Sequence, residues 1–240
     1  MNILERNKDL PDEIVEVIGL TKTYSQGKID VQALKGINIS VKKGEFAALA
    51  GPSGSGKTTV LNIIGGLDLP DSGEIIIEKK SYNRMNQTQI AELRLNRIGF
   101  IFQAFNLIPV LSAEENVEFI MLLQGVDADE RKDRARAALD DVGLEDKYTR
   151  RPCELSGGQQ QRVAVARAIV SNPAIVLADE PTANLDSKTG QGLLEMMIEM
   201  NEAKDVTFIF STHDNMVMKY AKRLINIRDG QVIEDIKKYG

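Results

Sequence analysis

The chain has 240 residues, of which 42% are hydrophobic and 27% are charged, and its formal net charge is −5. This length and composition are typical of a folded globular protein that buries a full core without disulfides or structural metals. The acidic balance argues against a general nucleic-acid binder, and the single cysteine, Cys153, excludes an intrachain disulfide and a cysteine-based zinc site.

The sequence contains no obvious membrane segment. No apolar run approaches the ~20 residues needed to cross a bilayer, and the longest runs, such as residues 119–123, are short. Residues 1–9 are polar and lack the apolar region of a signal peptide. We therefore expect a cytosolic chain that reaches a membrane only through a partner.

The first part of the chain has the pattern of an antiparallel sheet. Residues 14–17 and 31–41 are predicted strands, and apolar and polar residues alternate from Ile37 onward, as in a sheet with one wet face. Residues 21–27 are predicted to form the loop between them. Tyr24 in this loop either packs on the surface or stacks on a nucleotide base, and the residues alone leave both interpretations open.

Residues 51–59 fit the phosphate-binding pattern G-x-x-x-x-G-K-[ST] at every fixed position. The run before them, residues 46–50, is apolar without alternation and predicts a strand buried on both faces, whereas residues 58–64 predict a helix. In this context the loop amides and the positive end of the helix dipole point at one anion, which disfavours a chance glycine-rich turn.

The chemistry of this loop follows from its residue types. Its glycines, Gly51, Gly54 and Gly56, let the backbone approach the phosphates, and Lys57 reaches the β and γ oxygens. Thr58 would place its hydroxyl on Mg²⁺.

The middle of the chain changes from strands to helices. After a turn at 68–73, the pattern predicts a strand at 74–78, a short helix at 87–96 and a buried strand at 98–102 that ends at Gln103. Two further helices are predicted at 113–124 and 127–142.

Residues 155–162 open a predicted helix over 159–171, and they place Ser156, Gly157 and Gly158 at its start. Such a start is either an ordinary N-cap with Ser156 as the capping residue or a second anion site built by the same physics as the first. In a chain that already has a phosphate loop, the two helix ends either make two sites or complete one site shared between two copies.

Polar residues follow two further apolar strands. The strand at 174–178 ends in Asp179 and Glu180, and ligands of parallel α/β sheets lie beyond the carboxyl ends of the strands. Asp179 is therefore placed to hold Mg²⁺, directly or through water, and Glu180 to orient and deprotonate the attacking water. The alternative is a pair of solvated acids before Pro181.

The only histidine, His213, follows the strand at 207–212. A lone histidine is usually structural or exposed, but this position at a strand end favours a contact with the γ-phosphate. Beyond it, residues 224–227 and 231–233 flank Asp229-Gly230 and predict a hairpin.

Together these residues resemble the nucleotide-binding subunit of an ATP-binding cassette (ABC) transporter. The resemblance covers about residues 14–235 and rests on seven motifs in the order of that family. They are the adenine-stacking Tyr24, Walker A at 51–59, the Q-loop Gln103, the signature at 155–159, Walker B with its glutamate at 174–180, the D-loop at 183–186 and the switch histidine His213.

This resemblance implies an α/β fold with a P-loop ATPase core and an antiparallel β subdomain. Residues 1–240 would form one domain, with a helical subdomain at about 104–158 inserted in the core. The implied catalytic residues are Glu180, His213 and Gln103, and Mg²⁺ would be held by Thr58, Gln103 and Asp179. ATP would be bound by Tyr24, Gly51, Ser53, Gly54, Ser55, Gly56, Lys57, Thr58, Thr59, Ser156, Gly157, Gly158, Gln159 and Asp186.

The resemblance also implies partners. Two copies would form a head-to-tail dimer with each ATP between the P-loop of one and the signature of the other, so that Ser156, Gly157 and Gly158 bind the γ-phosphate in trans. Gln103 would couple the nucleotide to the helical subdomain, whose groove near the Q-loop receives a helix of a membrane permease. The chain would then be peripheral on the inner face of the cell membrane.

A narrower resemblance, carried by residues 61–68, 102–109 and 178–186, is to the lipoprotein-release and macrolide-export branch. Permeases of that branch have large extracytoplasmic domains, so a periplasmic adaptor or substrate protein is a further expected partner. No nucleic acid is expected. Ala183 stands where glycine is frequent in the branch, a change we expect to be silent.

Two other functions are considered. A regulatory ATPase of the cell-division type uses the same ATPase domain to signal across the membrane without moving substrate. The sequence hardly distinguishes this function from that of a transporter. A soluble ABC protein of DNA repair or translation is disfavoured, because the interval from Gln103 to Ser156 is short and the chain has one cassette. Kinases and small GTPases would not need the signature.

Overall fold

Ten strands and seven helices follow one another in the computed structural model, which describes residues 13–27 and 29–238. The strands are β1 Glu13–Gln26, β2 Ile29–Lys42, β3 Phe46–Ala50, β4 Ser72–Ile77, β5 Lys80–Ser81, β6 Ile98–Ile101, β7 Ile175–Asp179, β8 Thr207–Thr212, β9 Arg223–Arg228 and β10 Gln231–Lys237. The helices are α1 Lys57–Ile64, α2 Gln87–Arg97, α3 Ala113–Leu123, α4 Ala128–Asp140, α5 Gly157–Ile169, α6 Ser187–Lys204 and α7 Asn215–Tyr220.

The strands form two sheets. The smaller is antiparallel with the order β2-β1-β4-β5. The larger has the order β10-β9-β3-β8-β7-β6, in which β10 is antiparallel to β9 and the other neighbours are parallel. The carboxyl ends of β3, β8, β7 and β6 therefore lie side by side at one edge of this sheet.

The central strands are apolar without alternation because both faces of the larger sheet are covered. Every residue of β3 and β8 is buried. Side chains still alternate between the faces: Phe208 and Phe210 join a core that includes α3 to α6, whereas Ile209 joins a core that includes α1 and the antiparallel sheet. Phe46 lies 4.6 Å from Phe210 and 5.5 Å from Phe208 between ring centroids, so aromatic packing fixes the first face.

The prediction of a loop at residues 21–27 is wrong. β1 continues to Gln26 and pairs with β2 along its whole length, with Tyr24 opposite Val31. Threonine, tyrosine and serine fit a half-exposed strand once a partner strand lies beside them, and the pairing outweighs the polar character of the segment. Tyr24 is therefore held on a sheet.

Most other elements lie close to their predicted positions. The buried strands β3 and β8 match their predicted bounds, the predicted hairpin is β9 and β10, and the predicted helices correspond to α1 to α5. α5 begins at Gly157, two residues earlier than expected, because Ser156 caps it. The sequence analysis missed α6 and α7, although Leu193, Met197 and Met200 recur on the buried face of α6 at helical spacing.

α3 and α4 lie within the stretch predicted as a helical insertion, whose boundaries stay a prediction, and they pack against α5, which follows it. Among residues 13–27 and 29–238, the helices are too short or too polar to traverse a bilayer. The predicted polar start, residues 1–9, lies outside the described residues.

Candidate functional site

The predicted site residues meet where the parallel strands end. Gly51 follows β3, His213 follows β8, Asp179 ends β7 and Gln103 follows β6 shortly after its last residue. Because these four strands are neighbours in the larger sheet, the sheet order brings together side chains that are far apart in the sequence.

The loop between β3 and α1 has the backbone of a phosphate cradle. Gly51, Gly54 and Gly56 all have positive φ angles, of 149°, 77° and 106°. A Cβ on Gly51 would lie 2.1 Å from the Ile227 carbonyl oxygen, so this position accepts only glycine. No side chain caps α1, which leaves its first amides available to an anion.

Lys57 is the first residue of α1, and its side chain reaches back over this loop. Its ammonium donates to the carbonyl oxygens of Gly51 and Pro52, both at 2.8 Å, and burial lowers its pKa while the carboxylates of Glu180 and Asp179 oppose that effect. Ser55 is also buried, and its Oγ has no hydrogen-bond partner within the described residues. The loop thus holds a cation and a polar hydroxyl that suit a phosphate.

Thr58 and Asp179 form the pair expected for Mg²⁺. The Thr58 hydroxyl donates to Asp179 Oδ1 at 2.9 Å, which places a hydroxyl and a carboxylate oxygen side by side. Within residues 13–27 and 29–238, no three carboxylate, histidine or cysteine side chains are grouped for a metal ion. A hydroxyl and one carboxylate oxygen are a donor set that suits Mg²⁺, which takes one or two protein oxygens and completes its shell with water and substrate phosphates.

Glu180 is fixed from three directions. Its amide donates to the Ser211 carbonyl at 2.9 Å, its Oε1 lies 2.6 Å from His213 Nδ1, and its Oε2 accepts from the Thr212 hydroxyl at 3.3 Å. Its φ angle is +46°, an uncommon conformation for a residue with a side chain and one that clusters at functional sites. A carboxylate held in this way is suited to accept a proton from a positioned water.

His213 contacts this carboxylate while its own side chain is 62% exposed. The γ-phosphate contact predicted for His213 from its position stays a prediction. The structure adds a role that the sequence analysis did not identify, which is to orient Glu180. Thr212 was also missed, because its relation to Glu180 depends on the pairing of β7 with β8.

Tyr24 is anchored at its hydroxyl, which donates to Asp68 Oδ2 at 2.6 Å. Lys22 donates to Asp68 Oδ1 at 2.8 Å, and its ammonium lies 5.1 Å from the centre of the Tyr24 ring. Burial and the hydrogen bond to Asp68 raise the pKa of Tyr24. Asp68 had been predicted only as a turn residue, and the predicted contacts of ATP with Tyr24, Ser53 and Thr59 stay predictions.

The signature residues form a helix cap. Ser156 Oγ accepts from the Gln159 amide at 3.3 Å, and Gln159 Oε1 accepts from the Ser156 amide at 2.9 Å, which is a capping box. A Cβ on Gly158 would lie 2.4 Å from Thr189 Cγ2, so any larger residue there would displace the Thr189 side chain at the start of α6. The predicted contact of this turn with a second copy's nucleotide remains to be tested.

The remaining two predicted site residues, Asp186 and Gln103, make contacts within the chain. Asp186 caps α6: its Oδ1 accepts from the Lys188 and Thr189 amides and its Oδ2 from the Thr189 hydroxyl, and these bonds lower its pKa. The side chain of Gln103 is exposed, and its carbonyl accepts from Asn184 Nδ2 at 2.8 Å. Their predicted contacts with nucleotide and Mg²⁺ stay predictions.

A groove of about 480 Å³ lies beside β6. In the described part of the chain its two arginines, Arg94 and Arg167, donate to backbone carbonyls and pair with no carboxylate. Burial lowers the pKa of Arg167. The rest of the lining is mainly apolar and includes Leu67, Leu95, Phe100, Phe102, Ile108, Phe119, Ile120 and Leu123.

Known proteins resemble this chain in sequence. The family described as "ABC transporter" matches residues 34–183. An uncharacterized ABC transporter ATP-binding protein of Thermotoga maritima is 45% identical over 228 residues, which cover 95% of this chain and 97% of the relative. The macrolide export ATP-binding/permease protein MacB of Brucella melitensis is 42% identical over 94% of this chain, which spans 35% of MacB.

A solved structure resembles the chain over most of its length. The dimeric, post-hydrolysis structure of the ATP-binding cassette MJ0796 bound to ADP and Pi, from Methanocaldococcus jannaschii, has a TM-score of 0.87 and 43% identity, covering 94% of this chain and 99% of that one. The predicted fold class is therefore confirmed, as is the predicted ATPase. The chain belongs to the ABC transporter family, as an ATP-binding subunit with an ABC ATPase domain.

Proposed function

We propose that this chain is the ATP-hydrolysing motor subunit of a transporter, which closes head to tail with a second copy around two ATP molecules and drives a separate permease of the lipoprotein-release or macrolide-export type. The observation that carries the proposal is the arrangement at the strand ends. Thr58 and Asp179 lie side by side, and Glu180 lies against His213.

The nucleotide would use the groups that the loop already presents. The amides at the start of α1 and the Lys57 ammonium would bind the phosphates, and the Tyr24 ring would stack on adenine. Thr58 and Asp179 would hold Mg²⁺, with Gln103 as a further ligand. When bound, Mg²⁺ neutralises charge on the phosphate oxygens.

Glu180 would accept the proton of the attacking water. His213 and Thr212 fix its two oxygens, and the Ser211 carbonyl fixes its backbone, so little reorganisation is needed when the water arrives. In the presence of nucleotide His213 would also contact the γ-phosphate.

The second copy would complete each site. Ser156 is exposed at the start of α5, and the amides of Gly157 and Gly158 belong to the first turn of that helix, where an anion is favoured. The related MJ0796 cassette is dimeric in its structures, which supports the same assembly here. ATP-driven closure, followed by opening after hydrolysis, would be the two-state change that a permease detects.

The groove beside β6 would receive the permease. Its apolar lining and its two arginines, which pair with no carboxylate among the described residues, suit a helix with an apolar face and an acidic side chain. The relative MacB is an ATP-binding/permease protein by name. By analogy this chain would be peripheral on the cytoplasmic face of the cell membrane, with a periplasmic adaptor or substrate protein as a further partner.

The first test is enzymatic. Glu180→Gln should bind ATP normally but lower steady-state turnover by at least ~100-fold, because the amide cannot accept the proton. ATP binding is measured by calorimetry and turnover by phosphate release. Normal turnover in this variant would exclude Glu180 as the base.

The second test identifies the partner. Tagged Glu180→Gln is captured from membranes in mild detergent with ATP, and the bound proteins are identified by mass spectrometry. Recovery of a permease with a large extracytoplasmic domain supports the branch, and companions that act on the cell wall would favour the cell-division alternative. Adding Phe119→Asp in the groove should abolish capture, whereas Ile233→Asp, on the exposed strand β10, should not. Recovery of no membrane protein would contradict the transporter proposal.

A further inference from the structure

Gln161 is a buried polar residue that none of the predicted motifs uses. It lies in α5, one helical turn after Gly158, and its side chain is 0% exposed. Its Nε2 donates to the Pro181 carbonyl at 2.8 Å, whereas its Oε1 has no hydrogen-bond partner among the described residues. A buried amide that is only half satisfied stabilises a fold less than an apolar side chain of the same length, so stability alone does not explain this residue.

The carbonyl that Gln161 holds belongs to the residue after the base. Pro181 has a fixed φ angle and no amide proton, so its carbonyl is the one hydrogen-bonding group it offers. Glu180 before it has the uncommon φ angle of +46°. Fixing Pro181 therefore restricts the turn that aims the Glu180 carboxylate.

The other side of this turn is also fixed. Thr182 is buried, and its hydroxyl donates to Asp214 Oδ2 at 3.1 Å. The Asp214 amide in turn donates to the Thr212 hydroxyl, which donates to Glu180. Gln161 thus contributes the bond from α5 to a network whose other members lie in the turn after β7, at the end of β8 and just after β8.

We propose that Gln161 is a positioning residue: it holds the turn at Pro181 so that Glu180 points at the water, and it ties this turn to the helix that carries the signature. The inference rests on the proposed head-to-tail dimer. In that dimer Ser156 contacts the nucleotide held by the partner's P-loop, whereas Glu180 of the same chain acts on the nucleotide held by its own P-loop. The bond between α5 and Pro181 therefore connects the two ATP sites through one chain.

The test variant is Gln161→Met, which keeps the length of the side chain and removes the donor. We expect normal melting and ATP affinity, an unchanged KM and a fall in kcat of about tenfold, the scale of one hydrogen bond. The matched control is Gln124→Met, since Gln124 also donates to a single backbone carbonyl, that of Leu95, away from the site. It should leave kcat unchanged. An unchanged kcat in Gln161→Met would overturn the inference.

Mixed dimers show through which site Gln161 acts. In a dimer with one Glu180→Gln subunit, only the other subunit's Glu180 works, and single-turnover hydrolysis of bound ATP reports on that site. Gln161→Met should slow this reaction when it lies in the chain with the intact Glu180. Gln161→Met should leave the reaction unchanged when the substitution lies in the Glu180→Gln chain, which supplies the signature to that site. The reverse result would show that Gln161 acts through Ser156 and would overturn the assignment.

Two controls keep the outcomes separate. If Gln161→Met fails to fold, Gln161→Asn is used in its place. Asparagine keeps a buried amide, but its side chain is one methylene shorter and does not reach the Pro181 carbonyl. This variant should show the same loss of kcat. Failure of both variants to fold would assign Gln161 to the core and overturn the inference. Normal hydrolysis by the Glu180→Gln homodimer would instead contradict the proposed function.

Discussion

At the scale of single residues, the anchoring of Tyr24 decides how well it can serve as a platform for a base. The hydrogen bond to Asp68 and the nearby Lys22 hold the ring in one orientation, so binding a nucleotide costs little side-chain entropy. In the proposed function the ring would provide the stacking surface, and the hydroxyl would provide only the orientation.

Two substitutions at Tyr24 separate these contributions. Tyr24→Ala should raise the Kd for ATP by about 5- to 150-fold, the range expected for loss of one base stack, whereas Tyr24→Phe should raise it only a few-fold. Calorimetric titration measures both. Tyr148→Ala is the matched control, because Tyr148 also donates to an aspartate, Asp140, and has an arginine, Arg136, over its ring. A similar loss in Tyr148→Ala would contradict the role of Tyr24.

At the scale of elements, α6 depends on the residue that caps its start. Asp186 satisfies two amides and a hydroxyl at the start of this 18-residue helix. Asp186→Ala should lower the melting temperature by a few degrees. Asp186→Asn should lower it by less, since asparagine also caps helices. Thermal unfolding followed by circular dichroism measures both. A loss of turnover in Asp186→Asn without a loss of stability would support the predicted contact with ATP. If Asp186→Ala melts at the same temperature as the unchanged chain, the cap does not stabilise α6.

The pH dependence of this effect has a definite sign. The hydrogen bonds depress the pKa of Asp186 below its unfolded value. Its contribution is therefore complete above the unfolded pKa and is lost as the pH falls through the folded one. The difference in melting temperature between the unchanged chain and Asp186→Ala should accordingly shrink in strong acid.

The elements also show what can be predicted from a sequence. β3 and β8 were predicted with their bounds because a strand buried on both faces is a continuous apolar run, and the site residues at their ends followed. β1 was predicted too short because its second half is polar and becomes a strand only through β2. The contacts of Glu180 with Ser211 and Thr212 depend on strand order, which no local pattern specifies.

At the scale of the whole molecule, the question is whether the signature acts on its own chain or on another. Ser156 is exposed, and within residues 13–27 and 29–238 its side chain makes only the cap of α5. The expected use of this surface is therefore a second copy whose P-loop nucleotide faces it. A substitution that fills the surface should affect assembly while leaving the chain's own P-loop untouched.

Ser156→Arg should retain ATP binding by the monomer but abolish the ATP-dependent dimer, because a long cation replaces the small cap where the second copy's nucleotide would lie. The comparison is made in the Glu180→Gln background by size-exclusion chromatography with ATP. Ser112→Arg removes an equivalent capping box, formed with Glu115 at the start of α3, and should cost similar stability while leaving the dimer intact. If Ser156→Arg still forms ATP-driven dimers, the nucleotide does not lie between the two copies and each chain's site must be complete by itself. If both variants lose the dimer, the cause is loss of helix capping rather than a shared site.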